Sequence, residues 1–471
     1  MKKILITFIA LSTLWSCQTD EQYEDLNRDP KNPVEVSADF LFTSATVSLM
    51  DQMASPNVNL NITRFIAQYL TATTYLDEPN YDLNNRNIPQ NHWGILYREV
   101  IFDLQNAKEN VAADLSESDA ELSQAEKDAR IAQLEVLEVY AWQILVDSFG
   151  DIPYTEALNA DEQTLPAYDD AATIYEDLKS RLSNVTTALE AAQGFSSSDK
   201  LYNGDMAKWS KFANSLLVRL AARTDDFAKV EEAVGKGVFE SNADNATIEY
   251  QPSAPNTNPL WEDLVQSGRS DYVVANTIVD VMNELEDPRR MVYFDDNIEP
   301  YTGGIYGGSN SFQSYTHIGP QFRDPTHAGI LMDYAEVNFH LAYAAMEGAA
   351  LENDAQWYYE EGITASMKYW LGPNVDVSGY LSQPEVAYDG TMEQLGTQFW
   401  IAMFDNPFEG WSVWRKFDAP EFNLPEDTGN PVPLRLTYPV NEQNLNQANY
   451  EAASTAIGGD SQQTPLFWDN E

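Results

Sequence analysis

Two stretches of this sequence gather side chains suited to holding a ligand without making or breaking bonds. The first runs Tyr75-Leu76-Asp77-Glu78-Pro79-Asn80-Tyr81-Asp82-Leu83-Asn84-Asn85-Arg86, and sets Tyr75 and Tyr81 among Asp77, Asn84, Asn85 and Arg86. The second runs Tyr301-Thr302-Gly303-Gly304-Ile305-Tyr306-Gly307-Gly308 and continues to Phe312 and Tyr315. An aromatic ring can stack on the apolar face of a pyranose, while amides, carboxylates and guanidinium groups meet its hydroxyls. Aromatics in long polar loops are better placed for this than aromatics on a helical stripe. The glycines of the second stretch would let backbone approach a ligand closely. Trp261 and Arg269, in the loop before residues 271–286, complete the candidate set. For each aromatic, packing against its own loop is the competing role.

Bond-making chemistry has less support. Glycoside hydrolysis needs two carboxylates at a set separation, and among 74 Asp and Glu residues no pair stands out. The four histidines, His92, His317, His327 and His340, show no metal-ligand spacing, and His340 lies in an apolar helical stretch that favours a packed, hydrogen-bonded role. There is no Gly-x-Ser-x-Gly elbow and no phosphate-cradling Gly-Lys-Ser loop. Asp295-Asp296-Asn297 lacks the alternating pattern of a calcium loop. The expectation is a binding protein with no enzymatic activity, metal or cofactor.

The N-terminus indicates where such binding would take place. Lys2-Lys3 precede a short apolar run ending at Leu14-Trp15-Ser16-Cys17, and Cys17 is the one cysteine of the 471 residues. That run is far below the roughly 20 residues needed to span a bilayer. It reads as a leader, residues 1–16, cleaved before a cysteine that takes up lipid and tethers the chain to a membrane. The alternative is an ordinary secretory leader with an incidental cysteine. Loss of Lys2 and Lys3, with no acid in residues 1–16, would take the net charge from −47 to −49. A surface this acidic argues against nucleic acid and disfavours anionic polymers.

Hydrophobic periodicity makes the body mainly α. Apolar stripes predict helices over about 38–54, 59–74, 92–113, 131–146, 170–191, 205–223, 271–286, 330–347, 354–370 and 391–404, many in neighbouring pairs. Ser37 and Asp170 are placed as N-caps. Between these pairs lie long stretches rich in Pro, Gly, Asn and aromatics, such as 75–91, 241–270 and 288–329, expected to form a binding surface.

Ordered motifs then carry a resemblance. Tyr140 to Tyr154, with its Gly150-Asp151-Ile152-Pro153-Tyr154 turn, resembles the central signature of SusD/RagB-family outer-membrane lipoproteins. Asp25 to Pro30, Trp209 to Arg223, Asp287-Pro288-Arg289-Arg290, Glu336 to Ala342, Trp411 to Arg415 and Arg435 to Glu442 resemble its other motifs in order. Read physically, these motifs are scaffold. Gly150 to Pro153 end a helix, Trp142, Trp209 and Phe212 lie on core stripes, and Asp287 to Arg290 form a turn with an internal ion pair. The resemblance implies tetratricopeptide-like helical hairpins carrying a loop-rich ligand-binding half. It also implies a lipid-anchored protein on the outer face of the outer membrane, lying as a lid over a SusC-like TonB-dependent transporter and delivering oligosaccharide or polysaccharide. Residues at the turn corresponding to Tyr75–Arg86 often contact glycan in that family. The expected organisation is leader 1–16, lipidated tether 17–33 and one binding domain 34–471. The charge favours a neutral glycan, such as a glucan. A RagB-like oligopeptide-binding lid is the alternative, and a surface hydrolase a more distant one.

Overall fold

A computed structural model of the chain describes residues 36–83, 85–113, 121–159 and 163–469. The leader, Cys17, the whole tether with its Asp25–Pro30 motif, and Asn84 lie outside the described residues. The unit from Ala38 onward is mainly helical. Its principal helices are α1 (Ala38–Ala54), α2 (Phe102–Ala112), α3 (Gln124–Phe149), α4 (Ala171–Ala191), α5 (Met206–Arg223), α6 (Phe227–Lys236), α7 (Asn276–Glu284), α8 (Tyr334–Met346), α9 (Ala355–Leu371), α10 (Met392–Ala402) and α11 (Pro407–Phe417). Helix α1 packs on α2, α3 on α4, α5 on α6, and α8 on α9, stacked pairs of the kind the periodicity predicts, although α6 itself falls outside the predicted stripes. Ser123 and Glu126 form a reciprocal capping box at the start of α3, and Asp170 accepts from the Thr173 amide at the start of α4. No helix of the described residues is long and apolar enough to cross a membrane.

Residues 59–74 depart from the predicted helix. Only Thr63–Ile66 is helical; Gln68 then turns through φ 55°, and Leu70–Ala72 (β1) pairs antiparallel with Tyr272–Val274 (β3). Ala246–Ile248 (β2) pairs with Gly329–Met332 (β4) in the same sense. Both short sheets join segments far apart in sequence, a pairing that local periodicity cannot reveal. The same pairing turns the first residues of the predicted 271–286 and 330–347 helices into strand.

Several of the ordered motifs converge at the end of α3. Asp147 accepts from Arg223 at 2.5 Å, Tyr175 Oη at 2.6 Å and Trp468 Nε1 at 2.8 Å. Arg415 donates to the Asp147 carbonyl, Arg435 to that of Phe149, and Tyr438 to that of Asp151. Arg219 donates to both Glu336 oxygens, at 2.6 and 2.9 Å, while Arg223 also pairs with Glu409. All these charges are buried, so each is viable only because another compensates it. Trp142, Trp209, Phe212 and the Asp287–Arg289 ion pair are likewise interior. The buried groups of these motifs therefore hold the helices together, while Val440, near the end of the last motif, is exposed and Asp25–Pro30 lies outside the described residues.

Candidate functional site

The β1–β3 register brings the first candidate residues together. Leu70 faces Val274, Thr71 faces Val273 and Ala72 faces Tyr272. The Thr73 amide adds a bond to the Asp271 carbonyl at 2.8 Å, and just beyond the paired strands Tyr75 and Arg269 lie near each other. Tyr75 adopts φ 58°, a left-handed conformation that a bulky residue holds at a cost, and its side chain is 58% exposed. The Arg86 guanidinium lies 5.2 Å from the centre of its ring and that of Arg269 lies 5.5 Å away. Two cations thus hold one aromatic ring at the surface.

This ring lines a cleft of about 360 Å³. Asn57, Val58 and Asn59 from the loop after α1 form one wall, and Asp263, Asp271 and Tyr272 form another. Arg86 pairs with the buried Glu78, and Arg269 with Asp271, which also accepts from Thr74 Oγ1 at 3.0 Å. Burial raises the Glu78 carboxyl above its ordinary range, against the pull of Arg86. Asp263 is pushed up to about 6, first by burial and then by Glu262, with Arg269 opposing. The cleft offers a flat apolar ring flanked by hydrogen-bond donors and acceptors, the set that a sugar's face and hydroxyls require.

Of the residues singled out in the sequence, Tyr75, Arg86 and Arg269 meet in this cleft. Asp77 and Asn85 are exposed on the same loop, with Asn85 donating to Asp82 at 2.8 Å. Trp261 is half-buried in the turn before Asp263. Tyr81 and Tyr306 require correction as ligand platforms, being 4% and 1% exposed. Their rings pack together, 5.9 Å between centres, and Tyr306 Oη donates to the Phe65 carbonyl at 2.7 Å. The glycines beside Tyr306 admit the protein's own backbone. A Cβ on Gly303 would lie 2.3 Å from Asn276 Cα, and one on Gly304 2.6 Å from Val273 Cγ2. Tyr301, Phe312 and Tyr315 do not line the Tyr75 cleft. Tyr301 packs on Phe294 and donates to Asp296, and Phe312 stacks on His317 at 3.7 Å.

Asn57, Asn59, Glu78, Asp263 and Tyr272 also line the cleft but were not singled out in the sequence. Ser55-Pro56-Asn57-Val58-Asn59 carried a signal of its own, an amide-bearing turn at the end of a helix. Among the described residues, one cluster of potential metal ligands has its donor atoms within 4.8 Å of one another, Glu336, His340 and Glu409. Its carboxylates are already engaged by Arg219 and Arg223, so it is an ion-pair centre.

Comparison with known proteins agrees with this architecture. A sequence profile described as SusD-like, starch-binding and associating with the outer membrane, matches residues 30–439. No curated protein matches the sequence significantly. Among solved structures, a chitin-binding protein is 24% identical, with a TM-score of 0.77 over 92% of this chain and 100% of its own. A chitin-binding SusD homologue from Flavobacterium johnsoniae is 23% identical, with a TM-score of 0.76 over 92% of this chain and 98% of its own. A SusD homologue from Bacteroides uniformis is 23% identical, with a TM-score of 0.74 over 92% and 100%. At these identities the likeness establishes the fold.

Proposed function

The chain belongs to the SusD-like family, described as starch-binding and associating with the outer membrane, and from that premise we propose that it captures a neutral glycan in the Tyr75 cleft. Its ligand is a glucan, in keeping with the family description, or a chitin-like polymer of the kind two similar structures are named for binding. Residues 1–16 are a cleaved leader, Cys17 carries lipid, and the segment to residue 33 tethers a single binding body, residues 34–471, at the outer face of the outer membrane. There it acts without catalysis as the lid of a SusC-like TonB-dependent importer and hands the oligosaccharide on.

The observation that carries this reading is the exposed Tyr75 ring between Arg86 and Arg269 at the mouth of a polar cleft. A stacking platform ringed by planar donors suits a pyranose better than an extended peptide backbone, which calls for an open strand edge. The test is affinity electrophoresis against neutral and charged polysaccharides, with a parallel assay for released reducing ends. Retardation by a neutral glycan without release of reducing ends supports the proposal. Release of reducing ends refutes the non-catalytic part of it. Binding of peptides with no response to any glycan refutes glycan capture.

A further inference from the structure

The Tyr75 cleft adjoins a second hollow of about 280 Å³, since Asn57 and Asp263 line both. The two differ in charge. Four carboxylates, Asp51, Glu99, Glu262 and Asp263, line the second hollow, and no lysine or arginine does. Glu99 pairs with the exposed Arg98 at 2.7 Å. Among the described residues, Asp51, Glu262 and Asp263 have no lysine or arginine within salt-bridge distance. Asp51 accepts from Tyr250 Oη at 2.6 Å and Glu262 from Thr257 Oγ1 at 2.5 Å, both neutral donors.

A second observation is independent of these charges. Gln52 lines the same hollow, is 2% exposed, and its Oε1 accepts no hydrogen bond. Its amide nitrogen is committed to the Leu60 carbonyl at 2.9 Å and His92 Nδ1 at 2.8 Å. The carbonyl of Leu60 can only accept, which fixes the amide orientation and leaves Oε1 as a buried acceptor without a donor. In addition, the π-helical segments Leu96–Ile101 and Glu262–Gln266 each contribute to this wall, through Glu99 and through Glu262 and Asp263.

We propose that this hollow is a subsite for a protonated amino group, so that the groove takes an oligosaccharide with one ring on Tyr75 and a free 2-amino sugar beside Asp51, Glu262 and Gln52. The proposal rests on the reading of the Tyr75 cleft as a glycan site and refines its ligand: the ring on Tyr75 is neutral, and the sugar beyond it carries the positive charge. An ammonium brings donors only, the complement of carboxylates and an orphaned amide oxygen. A metal ion fits less well, because no three of the carboxylates here bring their oxygens within 4.8 Å of one another. A sugar residue spans that dispersion, meeting one carboxylate with its ammonium and others with its hydroxyls.

The pH dependence follows from the same groups. Asp51 is pushed up to about 6 by burial, lowered by the Tyr250 hydrogen bond and raised by Glu262; Asp263 reaches about 6 as given above, with Arg269 and Asp271 also facing it. Amine binding therefore weakens as pH falls through about 6, where these carboxyls take up protons.

The test compares two tetramers of equal length by calorimetry at pH 7, one of N-acetylglucosamine and one of glucosamine. The parent should bind the glucosamine tetramer about tenfold more tightly, as a charge-assisted hydrogen bond allows. Asp51→Asn/Glu262→Gln should bring that ratio close to one. Glu385→Gln/Asp389→Asn/Glu393→Gln removes three charges from a separate acidic cleft and controls for general attraction of a cation to an acidic protein; here the tenfold ratio should persist. A ratio near one in the parent, or an equal fall in the triple variant, overturns the amino-sugar subsite. If the acetylated tetramer still binds in a Tyr75-dependent way, the proposed function survives that failure. Calcium binding that is lost in the double variant would make the hollow a metal site and also overturn the proposal.

Discussion

Replacing Tyr75 with alanine should separate binding from stability. The ring is mostly exposed and packs chiefly against two guanidinium groups, each of which has its own carboxylate, Glu78 for Arg86 and Asp271 for Arg269. Removing it strands no buried charge, so the thermal midpoint should stay close to that of the parent. Binding should suffer more. Stacking a pyranose on the ring, with the apolar area it covers, is worth about 1 to 2 kcal/mol, or roughly five- to thirtyfold in affinity. Calorimetry with the best neutral oligosaccharide reads this directly. Tyr75→Phe should stay within about threefold of the parent because the stacking face is kept. Tyr301→Ala, outside the cleft, should change affinity by less than about twofold. If Tyr75→Ala binds like the parent while Tyr301→Ala binds poorly, the Tyr75 cleft is not the site.

Arg219→Ala should destabilise the fold by about 3 to 5 kcal/mol in denaturant unfolding, because it leaves Glu336 buried without its bidentate partner. Glu409 lies in the same network; burial alone would raise its carboxyl, but Arg223 and Arg219 hold it well below the usual range. A depressed folded value means that its contribution is complete above the unfolded value of about 4.5 and is lost as pH falls toward the folded one, so the midpoint should drop between pH 5 and pH 3, and drop less steeply in Glu409→Gln. Gly304→Ala should cost about 1 to 3 kcal/mol and weaken glycan binding, since its Cβ would press on Val273 and Thr71 and part β1 from β3. Cys17→Ser should move the protein from the membrane to the soluble fraction and leave its affinity for glycan intact, as read by fractionation and calorimetry.

Much of the fold was legible because helical periodicity is local. The stripes of α1, α3, α4, α5, α8, α9 and α10 follow from the spacing of their own apolar residues, and Asp170 caps α4 as its position suggests. The strand at Leu70–Ala72 was not legible, because its partner lies about two hundred residues away and nothing nearby records the pairing. That pairing also decided which candidates meet. Tyr75, Arg86 and Arg269 stand out by side-chain type, and it is the β1–β3 pairing that brings the segments carrying Tyr75 and Arg269 together. Tyr81 and Tyr306 have the same chemistry in similarly polar loops, yet they pack inward, because the glycines beside Tyr306 let that loop lie directly on β3 and the start of α7. Composition reports what a loop could do; its exposure depends on what folds over it.

A crystal structure of the protein with the tightest neutral oligosaccharide from the panel tests the central claim most directly. It should show a sugar ring lying flat on Tyr75 at about 4 Å, with hydroxyls bonded to Arg86, Arg269 or the Asn57–Asn59 turn. Oligosaccharide bound elsewhere, with the Tyr75 ring free of sugar, would contradict it.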